Sequence, residues 1–224
     1  ATISESFLFS CSHAHAHALH FVIVCCKYNS ELTFSLSFPI PEDGIARMKI
    51  WLGNNPDISA TGADVTSITK LTDELRAIQT VSSLRPVDRV IIYVGTVFSE
   101  NIISKGCEEI VTHQKMLCAL APTSNTQRHI ISALEWFCGS CHPSLRTKFP
   151  IVLKALFDEE IVEEDTFYEW SSDYSKNDYS ADDSLIVIDV LEDLKASAQP
   201  FITWLREADE EGDSSEGESE SDEE

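Results

Sequence analysis

Apolar residues recur at helical spacing over much of the chain, and this pattern predicts its main elements. The clearest case is residues 67–81, where Ile68, Leu71, Leu75 and Ile78 fall on one helical face. In chain order, the helices that this spacing predicts span residues 42–51, 67–81, 108–120, 126–138 and 145–157. Helices of about three turns joined by short connections are typical of an α-solenoid of stacked antiparallel pairs.

The apolar pattern continues, with more interruptions, as far as residue 208. A further helix is expected to begin with Glu163 in its first turn, and residues 171–183 form a polar linker. Residues 184–196 are again compatible with a helix. Because proline suits the first turn of a helix, we predict a separate last helix beginning at Pro200.

Two segments have the composition of strands. Residues 87–103 are rich in β-branched side chains, and local propensity alone favours a buried strand there. Residues 33–38 alternate apolar and polar side chains, but no later segment is an obvious pairing partner. We therefore predict that residues 1–65 are a weakly ordered segment.

The net charge of −22 is confined to the C-terminal part of the chain. Residues 1–157 carry 13 acidic and 13 basic side chains, whereas residues 158–224 carry 25 acidic and three basic ones. Such a field repels nucleic acids and anionic membranes and attracts lysine-rich proteins. The last residues, 209–224, cannot bury apolar surface and are predicted to be a disordered acidic tail, in which acid-directed phosphorylation of serines is possible.

Candidate chemistry is sparse. The seven cysteines have no disulfide-framework spacing, which predicts reduced thiols and a cytoplasmic protein. Neither the Cys138–Cys141 pair nor the run of alternating histidines at residues 13–17 has enough ligands to complete a metal site. Histidines also interrupt the apolar stretch 7–26, which argues against a signal peptide or membrane span. With no phosphate loop or nucleophile motif, we predict no catalytic residue, no metal and no cofactor.

Two acidic and aromatic segments carry a family resemblance. They are KFPIVLKALFDEEIVEED at residues 148–165, followed by Trp170, and AQPFITWLREADEE at residues 198–211. Together they resemble the C-terminal W2 (HEAT-type) domain of eukaryotic translation initiation factor 5. The segments VGTVFSENI at 94–102 and QRHIISALEWFCG at 127–139 resemble its upstream helices. The resemblance implies an all-α, HEAT-like solenoid over residues 66–208, and it favours a helix instead of a strand for residues 87–103.

In this family the domain is an assembly platform, so the resemblance implies a monomeric binding protein. Its implied partners are the lysine-rich segments of the β subunit of initiation factor 2, and initiation factors 1 and 3. The acceptor residues that it implies are Glu159, Glu160, Glu163, Glu164, Asp165, Glu207, Asp209, Glu210 and Glu211. The resemblance also implies a role for Trp170 and Trp204, which are expected to pack beneath the carboxylates.

Two departures keep other interpretations open. Full-length factor 5 has an N-terminal part with an arginine for GTPase activation and a four-cysteine zinc site, and residues 1–65 show neither. A regulatory decoy of factor 5, or the C-terminal domain of the ε subunit of initiation factor 2B, would carry the same domain type. The spacer 171–197 is also longer and more acidic than that of the family. From composition alone, both acidic clusters could be a solvated face, as runs of charge usually are.

Overall fold

The computed structural model describes residues 41–172 and 185–213, and all regular structure in these ranges is helical. The α-helices are α1 (Pro41–Asn54), α2 (Val65–Val81), α3 (Pro86–Val97), α4 (Glu108–Leu120), α5 (Ser124–Trp136), α6 (Phe149–Asp158), α7 (Glu164–Ser172) and α8 (Ile188–Asp213). A π-helical turn (Phe137–Cys141) and a 3₁₀ turn (Pro143–Lys148) join α5 to α6. The predicted all-α class is confirmed, while the expected strand 33–38 and the histidine run lie outside the described residues.

Helix α3 shows why strand propensity fails for residues 87–103. Ile91, Ile92, Tyr93 and Val94 are fully buried, so most of the circumference of the helix is apolar. Helices α1, α2 and α5 pack around it and leave only a narrow side with Arg89 and Thr96 partly exposed. The predicted helix is confirmed, but it ends at Val97, and the remaining residues form turns.

The helices stack in one direction from α3. Helix α5 packs between α3 and α7, and α8 packs against both α7 and α6. Each helix therefore buries its apolar face on the next, as in a HEAT-like solenoid. Helix α1 belongs to the same packed body, because Met48 is fully buried, so the segment 1–65 contains ordered residues from position 41.

Helix α8 corrects one prediction. A break at Pro200 is wrong, because a single helix runs from Ile188 through the proline to Asp213. Proline inside a helix costs about 3 kcal/mol. Leu194 before Pro200 and Phe201 after it are both buried, so apolar burial on the two sides outweighs this cost.

A close approach fixes the start of α8 against the π-helical turn. A Cβ atom added at Gly139 would lie 2.9 Å from Val190 Cγ1 and 3.0 Å from Leu194 Cδ1. Glycine at this position lets the turn contact α8 without a shift of either.

We expect Pro200→Ala to raise the free energy of unfolding by about 1–3 kcal/mol, because alanine restores the missing backbone donor and removes the clash with the preceding turn. Pro200 is exposed, so no packing is lost. Urea unfolding followed by circular dichroism would measure the change, with the exposed Glu192→Ala of the same helix as control. An equal effect of the two substitutions would contradict a continuous α8.

Candidate protein-binding surface

The first acidic segment forms the turn between α6 and α7. Helix α6 ends in a Schellman motif, in which Ile161 N donates to Leu156 O at 2.9 Å and Glu160 N donates to Phe157 O at 3.0 Å. This motif places Glu160 in the left-handed region, with φ of 54°. Ile161 and Val162 are buried and fix the turn to the core, while the Glu160 side chain is exposed.

Neighbouring helices hold the backbone of this turn and leave its carboxylates outside. Gln127 Oε1 accepts from Glu163 N at 2.9 Å and from Thr166 Oγ1 at 3.1 Å. Gln114 Nε2 donates to the Glu159 carbonyl at 2.6 Å. The turn is therefore positioned through neutral amide side chains of α4 and α5, which neutralise none of its acidic side chains.

Glu164 and Asp165 lie in the first turn of α7, where carboxylates interact favourably with the helix dipole. Tyr168 donates a short hydrogen bond to Glu164 Oε1, and Ser124 Oγ donates to Glu163 Oε2 at 2.8 Å. Within the described parts of the chain, no lysine or arginine lies in ion-pair range of Glu163 or Asp165.

Glu159 and Glu160 also have no lysine or arginine in ion-pair range among the described residues. The nearby cation, Lys154, is instead bound to Asp158 at 2.7 Å. We call Glu159, Glu160, Glu163, Glu164 and Asp165 the acidic turn. The charges of Glu159, Glu160, Glu163 and Asp165 are left for a partner or for solvent.

The second segment lies beside the acidic turn. Trp204 of α8 contacts Phe157 of α6 with ring centroids 5.8 Å apart and stacks on Phe201 at 6.0 Å. Its side chain stays 40% exposed. Lys154 Nζ lies 4.8 Å from the Trp204 ring centroid, so one lysine already lies over an indole and beside a carboxylate.

The remaining residues of the second segment lie in the C-terminal part of α8. Glu207 is exposed, and Arg206 lies over the Tyr168 ring at 5.6 Å, which ties this turn of α8 to α7. The backbone of Asp209, Glu210 and Glu211 belongs to α8, beyond the predicted domain end at residue 208, while their side chains lie outside the described residues. The long spacer thus does not separate the two acidic segments in space.

The two tryptophans differ in their surroundings. Trp170 is buried, with Nε1 donating to Glu135 Oε1 at 2.7 Å, and Lys195 Nζ donating to the Trp170 carbonyl at 3.1 Å. The side chain of Trp170 is thus part of the core, which agrees with the expectation that it packs beneath the carboxylates. Trp204, which we expected to pack beneath the carboxylates, is partly accessible.

Glu135 is the buried group that the sequence analysis missed. Burial raises the pKa of Glu135 to about 7, although the hydrogen bond from Trp170 and the charge of Lys195 partly oppose the shift. The sequence feature that indicates its burial is its position between Leu134 and Trp136 in an apolar helix. The group lies beneath the surface and binds Trp170 of α7, whose carbonyl accepts from Lys195 of α8, so it helps to hold these helices together.

Among the described cysteines, Cys138 and Cys141 offer no reactive thiolate. Burial raises the pKa of Cys138 to about 12 and that of Cys141 to about 11, which keeps both thiols protonated at neutral pH. Across residues 41–172 and 185–213, no three His, Cys, Asp or Glu side chains are grouped so that they could hold a metal ion. No helix in these ranges has the length and apolar character needed to cross a bilayer.

We expect Glu160→Gly to raise the free energy of unfolding by about 0.5–1 kcal/mol, because glycine adopts the left-handed conformation without a Cβ clash. Glu159→Gly is the matched control, since its φ of −93° gives glycine no such advantage. Chemical denaturation of both variants would measure the difference. If the two substitutions had the same effect, strain at Glu160 would be excluded.

We expect Glu135→Gln to flatten the dependence of stability on pH between about 4.5 and 7. In this window the unfolded carboxyl loses its proton before the folded one, so the free energy of unfolding falls as the pH rises. Glutamine cannot titrate and keeps a carbonyl acceptor for Trp170. Thermal melts at several pH values would measure the slope, which the exposed Glu100→Gln should leave unchanged.

Comparison with known proteins supports the family resemblance. Residues 126–215, from α5 to just beyond α8, match the family model described as W2: eIF4-gamma/eIF5/eIF2-epsilon. Eukaryotic translation initiation factor 5 of Zea mays is 33% identical over 143 residues, which cover 62% of this chain and 29% of the maize protein. The mouse (Mus musculus) protein of the same name is 34% identical over 84 residues, covering 38% of this chain and 18% of its own.

The chain thus spans less than a third of the length of these relatives. A solved structure, "The C-terminal Domain of Translation Initiation Factor 5 at low pH", superimposes with a TM-score of 0.55 at 22% identity. It covers 76% of this chain and 94% of the solved chain, which shows a common fold. Residues 126–215 therefore match the W2 family model, and the chain is similar in sequence to eukaryotic translation initiation factor 5 and in fold to its C-terminal domain.

Proposed function

We propose that the acidic turn and the adjoining face of α8 bind lysine-rich segments of translation initiation factors. The β subunit of initiation factor 2 is the foremost partner, and the domain acts as an assembly platform, not as an enzyme. The observation that carries this proposal is that the exposed carboxylates of Glu160, Glu163 and Asp165 have no cationic partner among the described residues and lie beside the half-exposed Trp204. Similarity to initiation factor 5 supports the choice of partner.

Lys154 indicates how a partner lysine would be held. Its ammonium group is 2.7 Å from Asp158 and 4.8 Å from the Trp204 ring centroid, so an ion pair and a cation–π contact act on one side chain. A lysine-rich peptide would repeat this arrangement along the acidic turn and Glu207. Its aliphatic stems would cover the exposed part of Trp204 while the ammonium groups reach the carboxylates.

The energy of such binding is a sum of small terms. Exposed ion pairs contribute about 0.2–1 kcal/mol each. Several pairs with one peptide give a useful affinity that salt weakens, because screening acts over about 8 Å at physiological ionic strength. The proposal also includes contacts with initiation factors 1 and 3, made by a monomer in the cytoplasm. This part rests on the family resemblance alone.

The test uses a neutralised acidic turn. We expect the triple variant Glu160→Gln, Glu163→Gln and Asp165→Asn to weaken binding of a lysine-rich peptide by about threefold to a hundredfold, the loss of three exposed ion pairs. The matched control is Glu42→Gln, Asp43→Asn and Glu100→Gln, which removes three exposed acids elsewhere. Isothermal titration calorimetry at low and physiological salt would measure each affinity.

The design separates local contact from general attraction. If both triple variants lost affinity equally, the peptide would be responding to net charge, and the assignment to the acidic turn would be wrong. An affinity that salt does not change would also contradict the proposal. Circular dichroism of each variant confirms that the helices are retained.

A further inference from the structure

The side chain of Lys154 fills a small site next to the acidic turn. Its Nζ atom donates to both carboxylate oxygens of Asp158, at 2.7 and 2.8 Å, and lies 4.8 Å from the ring centroid of Trp204. Phe157 meets the same indole edge to face, with ring centroids 5.8 Å apart. A carboxylate and an indole thus hold one ammonium group, and this group belongs to the chain itself.

The stability of α6 does not account for this arrangement. Asp158 is the last residue of α6, where the negative end of the helix dipole disfavours a carboxylate. A lysine four residues before an acid is also the less favourable order for an ion pair on a helix. Both side chains are 49% exposed, so solvent screens their attraction. Lys154 is therefore held weakly.

The site keeps its shape when the lysine leaves. Trp204 is held by its contact with Phe157 and by stacking on Phe201 at 6.0 Å, and neither contact involves Lys154. Because the lysine is exposed, a rotation of its side chain uncovers Asp158 and the indole together. The uncovered groups form an acceptor for another alkylammonium group, with one carboxylate for its charge and one ring for its aliphatic stem.

We propose that Lys154 is an internal competitor for this lysine-binding site. In the free protein its ammonium group occupies the position between Asp158 and Trp204, and a lysine of a bound partner displaces it. The inference rests on the proposed function and extends it in two ways. It adds Asp158, which the family resemblance did not imply, to the acceptor residues, and it makes Lys154 the residue that limits affinity.

Competition of this kind selects for lysine-rich partners. A partner that offers a single lysine exchanges one ammonium group for another and gains little. A segment with several lysines also reaches the unpaired carboxylates of the acidic turn, so it gains contacts that Lys154 does not make. The apparent affinity of every partner is reduced by the fraction of the protein in which the site is already filled.

Calorimetric titration of the full chain with an oligolysine peptide at low salt tests the proposal. We expect Lys154→Ala to tighten binding about threefold to tenfold, the strength of one exposed helical ion pair together with one exposed cation–π contact. Lys70→Ala is the matched control. Lys70 is also helical, is 51% exposed and lies 3.9 Å from Asp57, but it lies over no ring among the described residues. Its removal should change the affinity by less than about twofold.

A double-mutant cycle locates the site at Asp158. In the presence of Asp158→Asn, Lys154→Ala should change the affinity by less than about twofold, because the carboxylate for which the two lysines compete is gone. Circular dichroism checks that each variant keeps its helices.

Nuclear magnetic resonance of the lysine ammonium groups follows the displacement in the unsubstituted chain. The Nζ resonance of Lys154 is identified by its loss in Lys154→Ala. We expect saturation with the peptide to move this resonance towards the position of free lysine, while the resonance of Lys70 stays in place.

Three results would overturn the competitor and leave the proposed function standing. Equal gains in the Lys154 and Lys70 variants would assign the effect to net charge. A gain that persists with Asp158→Asn would show that the lysines do not compete for this carboxylate. An unchanged Lys154 resonance in the saturated complex would show that no displacement occurs. If the peptide bound none of the proteins, the proposed function itself would be wrong, and the competitor with it.

Discussion

The aromatic contact of α8 with α6 and α7 is the interaction on which the candidate binding surface depends. Phe201 meets Phe167 with ring centroids 5.2 Å apart, and Trp204 meets Phe157 at 5.8 Å. Edge-to-face pairs of this kind contribute about 0.5–1.5 kcal/mol beyond their buried area. They fix α8 across the turn that follows α6, so two acidic segments far apart in sequence become neighbours. They also place the proline of α8 inside a packed helix, where burial offsets its cost.

At this surface, the groups that hold the backbone in place differ from the groups that carry the charge. The backbone of the acidic turn is held by Gln127 and by the buried Ile161, and Trp170 is locked beneath it by Glu135. The carboxylates themselves take little part in this support. A surface built in this way can lose its charge without losing its shape, which is why neutralising substitutions test binding and not folding. The left-handed Glu160 is consistent with local strain retained where an acidic side chain is useful.

Several basic and acidic side chains lie on different helices of the stack. Arg76, Arg85, Arg89 and Arg128 lie on or beside α2, α3 and α5, whereas the acidic turn and Glu207 lie on α6, α7 and α8. The balanced composition of residues 1–157 conceals this arrangement, because basic side chains that are scattered in the sequence come together only when α3 packs on α5.

The sequence alone indicated most of the helices and the family resemblance, because apolar periodicity and the order of acidic and aromatic residues are local features. The bounds of α4, at Glu108–Leu120, were predicted without error, and the acidic residues of the turn were identified by type and order. Tertiary structure decided the rest. Trp170 is buried and Trp204 half-exposed although both follow acidic and aromatic residues, since only the packing of α8 determines which indole is covered. Pro200 lies within a helix, and Glu135 lies in the core, for the same reason: burial against distant helices outweighs local preference.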